Sequence, residues 1–295
     1  MDDSSGPVRP SDKTPGALQW RCEACGLVQE PRDGLCAACG ALHAELEKSA
    51  PPRRSLLDSG YEAPSVSRAE RVNLLIEVTV VVLVSWGGSW FSGFLSLLWP
   101  RHSSAADAFW PNYLWRGFGV VQDVALVLFV IRKSGEPWAH FGISRFRPVR
   151  DVVGAVCAYA AEYAAHWTYA ILLGYLLAHL FPPPSHEEIR RFIPSPTTGV
   201  QWVIVVPIIF LMAFSEEIVM RGYLIPRLES ILGSTGEAVL LSALLFGLGH
   251  GYQGLHGIVG TALFGLVYGA VFAITRRLWP LVIGHAALNI WLLAT

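Results

Sequence analysis

Charge is what this chain has least of. Aspartate, glutamate, lysine and arginine together make up 15% of its 295 residues, well short of the roughly one quarter that a soluble domain carries. The few charges crowd into the first 73 residues and a handful of short connections. Formal net charge is −1, so the balance offers no basic surface for nucleic acid, and none is expected as a partner. Cysteine is scarcer still: there are five, four of them between residues 22 and 39. The fifth, Cys157, stands alone in an apolar stretch and reads as packing. No short apolar run follows a charged start, so the pattern of a cleavable signal peptide is missing. The H-E-x-x-H signature of zinc proteases is missing too.

What is abundant is apolar. Hydrophobic residues make up 53% of the chain, with 11 tryptophans. A helix needs about 20 mostly apolar residues to cross the hydrocarbon core. From Asn73 onward the sequence divides into seven stretches of about that size, near residues 74–99, 113–131, 152–181, 200–225, 237–253, 257–275 and 280–294. The expected fold is therefore an all-α polytopic membrane protein of about seven transmembrane helices, with the lipid bilayer as its first partner.

Orientation follows from the short connections. Arg68 and Arg71 precede the first stretch, and Arg132, Lys133, Arg145, Arg147 and Arg150 follow the second. Arg227 follows the fourth, and Arg276 and Arg277 follow the sixth. Seven spans place all of these on one side, which should be the cytoplasm. The expectation is a multi-pass protein of the cell (inner) membrane, its N-terminus cytoplasmic and its C-terminus outside. The segment RKSGEPWAHFGISRFRPVRD interleaves Trp138, Phe141 and Phe146 with cations, as a stretch lying on the cytoplasmic leaflet would.

The N-terminal part reads as separate pieces: a disordered stretch over 1–18, a zinc ribbon over 19–42 and a flexible Pro- and Ser-containing linker over 43–70. In the ribbon, CEACGLVQEPRDGLCAACG supplies Cys22, Cys25, Cys36 and Cys39 as two C-x-x-C-G knuckles. Four thiolates in two close pairs suit tetrahedral zinc, and a closed four-cysteine site is structural. The ribbon could also hold a protein partner. Residues 71–295 form the membrane domain, with its core motifs in 200–294.

Within that domain AFSEEIVMRGYL places three charges in an otherwise apolar run. An ionisable group at bilayer depth costs about 2.5–3.5 kcal/mol on insertion scales, so it persists where it is paired, solvated or functional. Glu217 and Arg221 are four apart, in the favourable order for a helical ion pair. Glu216 points about 100° away and has no cation at that spacing. Further along, FGLGH brings His250, and HAALN puts His285 and Asn289 on one helix face. Helix rise allows these groups to meet in one cavity open toward the cytoplasm, His250 being the loosest fit. Amide hydrolysis needs a base for water and donors for the oxyanion, and this set contains both.

Glu216-Glu217-x-x-x-Arg221, Phe246-x-x-x-His250 and His285-x-x-x-Asn289, in that order, resemble the three motifs of the CPBP intramembrane protease family, which includes the type II CAAX prenyl endopeptidases. The resemblance spans about residues 200–294. It implies a glutamate-dependent endopeptidase acting on a peptide or membrane-protein substrate, in which Glu216 and His250 activate water while His285 and Asn289 hold the oxyanion. Glu217 and Arg221 would support the site. Two histidines and two glutamates suggest a catalytic metal as an alternative, but no two of the histidines share a helix, and none is expected. A second class of function stays open, a non-catalytic membrane scaffold or regulator that holds a partner through the ribbon. His256 reads as a loop residue, and His140, His166 and His179 as interfacial or interhelical.

Overall fold

The computed structural model describes residues 20–21, 28–29, 66–98, 109–180 and 193–294. Two compact units divide the chain, 1–53 and 54–295. In the first, strands β1 (Trp20–Arg21) and β2 (Val28–Gln29) pair antiparallel, with Trp20 opposite Gln29 and Arg21 opposite Val28. The four cysteines, the expected disorder over 1–18 and residues 43–65 of the expected linker over 43–70 lie outside the described residues, and the last three residues of that linker instead begin the first helix, at Arg68.

The second unit is helical. Helix α1 (Arg68–Leu98) is followed by α2 (Phe109–Ser134) and a 3-10 turn (Trp138–Phe141). Next, α3 (Pro148–Tyr169) runs through a π turn (Ala170–Gly174) into α4 (Tyr175–Leu180). The chain re-enters at α5 (Gly199–Glu217), passes through a second π turn (Ile218–Leu224) and continues as α6 (Ile225–Leu232). Then come α7 (Thr235–Leu248), a 3-10 turn (Gly251–Gln253), α8 (Gly254–Thr275) and α9 (Trp279–Ala294). Thr198 caps α5 reciprocally with Gln201, satisfying two otherwise orphaned backbone donors.

Among the described residues four helices are long and apolar enough to cross a membrane: Arg68–Leu95, Phe109–Ser134, Gly199–Leu232 and Gly251–Thr275. The expected spans over 237–253 and 280–294 are apolar but shorter, at Thr235–Leu248 and Trp279–Ala294. At 1.5 Å per residue those two are about 21 and 24 Å long, less than the ~30 Å hydrocarbon core. The expected third span, 152–181, forms a helical path but carries a buried glutamate and does not reach the same apolar standard.

Two boundaries differ from the sequence reading, each for a physical reason. The fourth segment does not stop at 225. Pro226 falls in the first turn of α6, where a missing N–H is tolerated, and the helix runs on to Leu232 with residues 225–231 all buried. Arg227, expected in a connection, is thereby a buried helical residue. The fifth segment stops early, at Leu248, and His250 lies in the turn beyond it. That turn packs against α1 at van der Waals limits: a Cβ on Gly251 would sit 3.1 Å from the backbone of Gly93. Irregular backbone at membrane depth is tolerated only where protein covers it, and two facing glycines make that cover possible.

One end of the unit is laced by ion pairs. Arg227 bonds Glu77 of α1 at 3.1 Å and also pairs with Glu136. Arg276 grips Glu229 of α6 through two nitrogens at 2.6 and 2.7 Å. Arg277 holds Asp151 of α3 through two bonds of 2.8 Å and also donates to the Arg145 carbonyl at 3.0 Å. These bonds gather the start of α1, the end of α2, the start of α3, the end of α6 and the α8–α9 connection on one side. Burial alone would push the Asp151 carboxyl up, but the Arg277 bonds and the Arg147 backbone N–H outweigh it and hold it below the ordinary carboxylate value.

Candidate active site

The interior cluster is built where α5 gives way to the π turn. Glu217 is the last residue of α5, and Arg221 lies four residues on, its Nη1 3.1 Å from Glu217 Oε1. Both are essentially inaccessible, at 0% and 1%. The Arg221 guanidinium lies over the Phe246 ring at 4.5 Å and near the Phe264 ring at 5.6 Å, aromatic contacts that compensate in part for lost water. The π turn is fixed from α7, where the Ser242 hydroxyl donates to the Met220 carbonyl at 2.8 Å. Such turns recur at functional sites because they break the regular ladder and re-aim side chains.

His285, on α9, joins the two glutamates. Its Nδ1 lies 2.8 Å from Glu217 Oε1 and its Nε2 3.6 Å from Glu216 Oε2. The first contact is a hydrogen bond, whereas the second is longer than one. Glu216 is the more accessible carboxylate, its side chain 22% exposed against 0% for Glu217. Three buried polar atoms nearby, Glu217 Oε2, Arg221 Nη2 and the Tyr268 hydroxyl, have no hydrogen-bond partner among the described residues.

His250 approaches from the turn after α7. Its Nδ1 is 2.9 Å from the Phe246 carbonyl, so that nitrogen carries the proton and donates. Nε2 is left with its lone pair, able to accept from water. The ring packs beside Phe246 at 4.7 Å and Trp86 at 6.0 Å. Asn289 is half-buried one turn beyond His285 on α9. The structure thus brings Glu216, Glu217, Arg221 and His285 into contact and sets His250 beside them; no contact between Asn289 and the others is resolved.

One histidine reading changes. His256 belongs to α8, not to a loop, and its Nδ1 meets the Tyr169 hydroxyl at 3.4 Å. His166 lies 3.8 Å from Glu162. Sequence reasoning also passed over Asp123 and Glu162. Asp123 lies on α2 and Glu162 on α3. The signal was present in both places, an acid inside an apolar run, but neither belongs to a motif. Among the described residues no group of three or more His, Cys, Asp or Glu is arranged to hold a metal ion, and the ribbon cysteines are not among those residues.

Residues 198–291 match the family model for type II CAAX prenyl endopeptidase Rce1-like proteins. That match supports the CAAX-protease family. It covers about a third of the chain, begins at the residue that caps α5, and takes in all three motifs. Comparisons with curated proteins and with solved structures found no match. Taken with the four apolar helices, the match supports a multi-pass membrane protein.

Proposed function

We propose that this protein is a glutamate-dependent intramembrane endopeptidase, CAAX-protease-like, that hydrolyses a peptide bond of a peptide or membrane-protein substrate near the cytoplasmic face. The observation that carries the reading is the bridge of His285 between Glu216 and Glu217, with Arg221 neutralising the buried carboxylate. That arrangement leaves Glu216, the more accessible acid, to act on water.

The division of labour follows from hydrogen-bond chemistry. Water held between Glu216 and Nε2 of His250 meets two acceptors and gives up a proton as it attacks the carbonyl. Nε2–H of His285, only loosely held at 3.6 Å from Glu216, and the Asn289 amide are donors for the oxyanion. The proton taken from water then passes to the leaving amine. Glu217 and Arg221 hold His285 and the π turn in place.

Seven passes accommodate the helical path, with α7 and α9 short and the charged end facing the cytoplasm. The abundance of arginine at that end supports this orientation in the inner membrane, and it places the N-terminus in the cytoplasm and the C-terminus outside. In the N-terminal unit, the β1–β2 pair brackets residues 22–27, the first C-x-x-C-G. Cys22, Cys25, Cys36 and Cys39 would hold one zinc ion there, a structural ion that stabilises the ribbon. Metal analysis of the purified chain should find one zinc, lost in Cys22→Ser with Cys36→Ser.

The deciding experiment compares peptide termini by mass spectrometry in membranes containing the native protein or Glu216→Gln at equal levels. Termini that depend on Glu216 support the reading and name the substrate. Identical sets, with both proteins folded and inserted, would overturn it.

A further inference from the structure

We propose that α1, which lies outside the family match and carries no motif, sets the orientation and tautomer of His250, with Trp90 as the positioning residue. The consequence for catalysis rests on the endopeptidase reading, whereas the effect on His250 stands apart from it.

The physical problem is the end of α7. A helix leaves its last four carbonyls without regular intrahelical donors, and at membrane depth there is no bulk water to satisfy them. In α7 these carbonyls belong to residues 245–248. The Gly247 carbonyl accepts from the His250 N–H at 2.9 Å, a tightened turn in place of the regular bond four residues back. The Phe246 carbonyl, which a continuing helix would give to that same N–H, is thereby open, and His250 Nδ1 takes it at 2.9 Å. The Leu245 carbonyl receives the indole Nε1–H of Trp90 at 3.0 Å and the Gly249 N–H at a longer 3.3 Å. His250 itself has left the helix, at φ −101° and ψ 19°. Its tautomer is therefore a consequence of where α7 stops.

The contacts at that stop come from α1. Val78, Val82, Trp86, Trp90 and Gly93 are spaced by four, four, four and three, which makes one face of the helix. Trp86 is buried, lies 5.4 Å from the Phe246 ring and 6.0 Å from the His250 ring, and fills the place that a side chain on Gly249 would need. One turn on, Trp90 donates to Leu245; one turn further, Gly93 meets Gly251. Of these contacts the Trp90 bond is the directional one, so it fixes the register that the others fill. With Nδ1 committed to Phe246, Nε2 keeps the lone pair that the endopeptidase reading aims at water.

Trp90→Phe keeps a ring and removes the donor. Leu245 is then left with the long Gly249 bond, the last turn of α7 is free to regularise, and the His250 N–H competes with Nδ1 for the Phe246 carbonyl. Nitrogen-15 histidine spectra of the full chain in lipid nanodiscs show which ring nitrogen carries the proton, at a mildly alkaline pH where an ordinary imidazole is neutral. His250 is assigned by its loss in His250→Gln. Native protein should give the Nδ1–H form and Trp90→Phe a mixture with the Nε2–H form. An unchanged Nδ1–H signal in folded Trp90→Phe overturns the proposal. Should that variant not fold, Trp86→Phe, which narrows the ring over Gly249, is read in the same way, and an unchanged signal there overturns it equally.

Trp279→Phe is the matched control. It removes a bond of the same kind, from Nε1 to the Ser144 carbonyl at 2.8 Å, at the start of α9. It should lower the unfolding temperature by a similar amount and leave the His250 signal native; equal His250 changes in the two variants would reduce Trp90 to a structural role and overturn the proposal. Against a substrate found through Glu216 dependence, kcat should fall by about ten- to a hundredfold in Trp90→Phe with KM unchanged, the scale of an ångström of misplacement, and stay native in Trp279→Phe. A native kcat alongside a changed tautomer overturns the positioning role. Absence of any Glu216-dependent cleavage counts against the endopeptidase reading instead, and the spectra still decide what α1 does to His250.

Discussion

Two buried charge clusters sit in the same helical unit, and they are built on opposite plans. At the laced end three arginines are each matched to a carboxylate: Arg227 to Glu77 and Glu136, Arg276 to Glu229, Arg277 to Asp151. In the interior, two glutamates share one arginine and one histidine, and three buried polar atoms have no hydrogen-bond partner among the described residues. Buried pairs with full hydrogen bonding fix geometry and change little with conditions. A cluster in which a proton must be shared is poised to move it. The comparison separates scaffold from chemistry without appeal to any motif.

The largest effect should come from the interior. Glu216→Gln keeps the shape of the side chain and removes the base, so cleavage per folded molecule should drop by about 10²–10⁴-fold, with unfolding temperature in detergent unchanged. Equal activity in the variant would place chemistry elsewhere. At the laced end the reverse is expected. Arg277→Ala strands Asp151, and because breaking a buried pair costs about 3–5 kcal/mol, its thermal unfolding should come at clearly lower temperature while turnover per folded molecule stays native. If Arg277→Ala were as stable as the native protein, the two plans would not differ as described.

Asn289→Ala should lower kcat by about 10²-fold or more with little change in stability, the usual cost of losing one oxyanion donor. A change confined to KM would reassign it to binding. Acid provides a gentler probe. Asp151 has a folded-state pKa below its unfolded value, so its contribution is complete above the unfolded value, about 3.9, and fades as pH falls through the folded one. Stability followed from pH 5 downward should therefore decline more in the native protein than in Asp151→Asn, which has nothing left to titrate there. Smallest is Ser242→Ala, which frees the Met220 carbonyl and should cost about 1 kcal/mol. A loss of activity larger than that stability change would show that the π turn itself is tuned for the reaction.

Much of this was legible beforehand, and the reasons are local. Apolar length marks a helix wherever lipid or core surrounds it, so each expected stretch coincides with helical structure. Spacing of four marks a shared face, which is why Glu217 with Arg221 could be read as a pair. Boundaries were less legible, because Pro226 looked like an end and His250 looked helical. Whether a proline stops a helix depends on the turn before it, and whether a helix continues depends on what packs against its last residues, here Gly93 and Trp86.

By itself, then, the sequence determined that the chain belongs in a membrane, where its helices run, and which few ionisable groups had to be explained, since each of these follows from transfer energies summed along the chain. Only the tertiary structure decided which charges meet. It turned Arg227, Arg276 and Arg277 from signals of topology into ion pairs and set His285 between two glutamates. Those outcomes depend on interhelical register, which is fixed by contacts such as Gly284 on Ala155 and is invisible to any count made along a single helix.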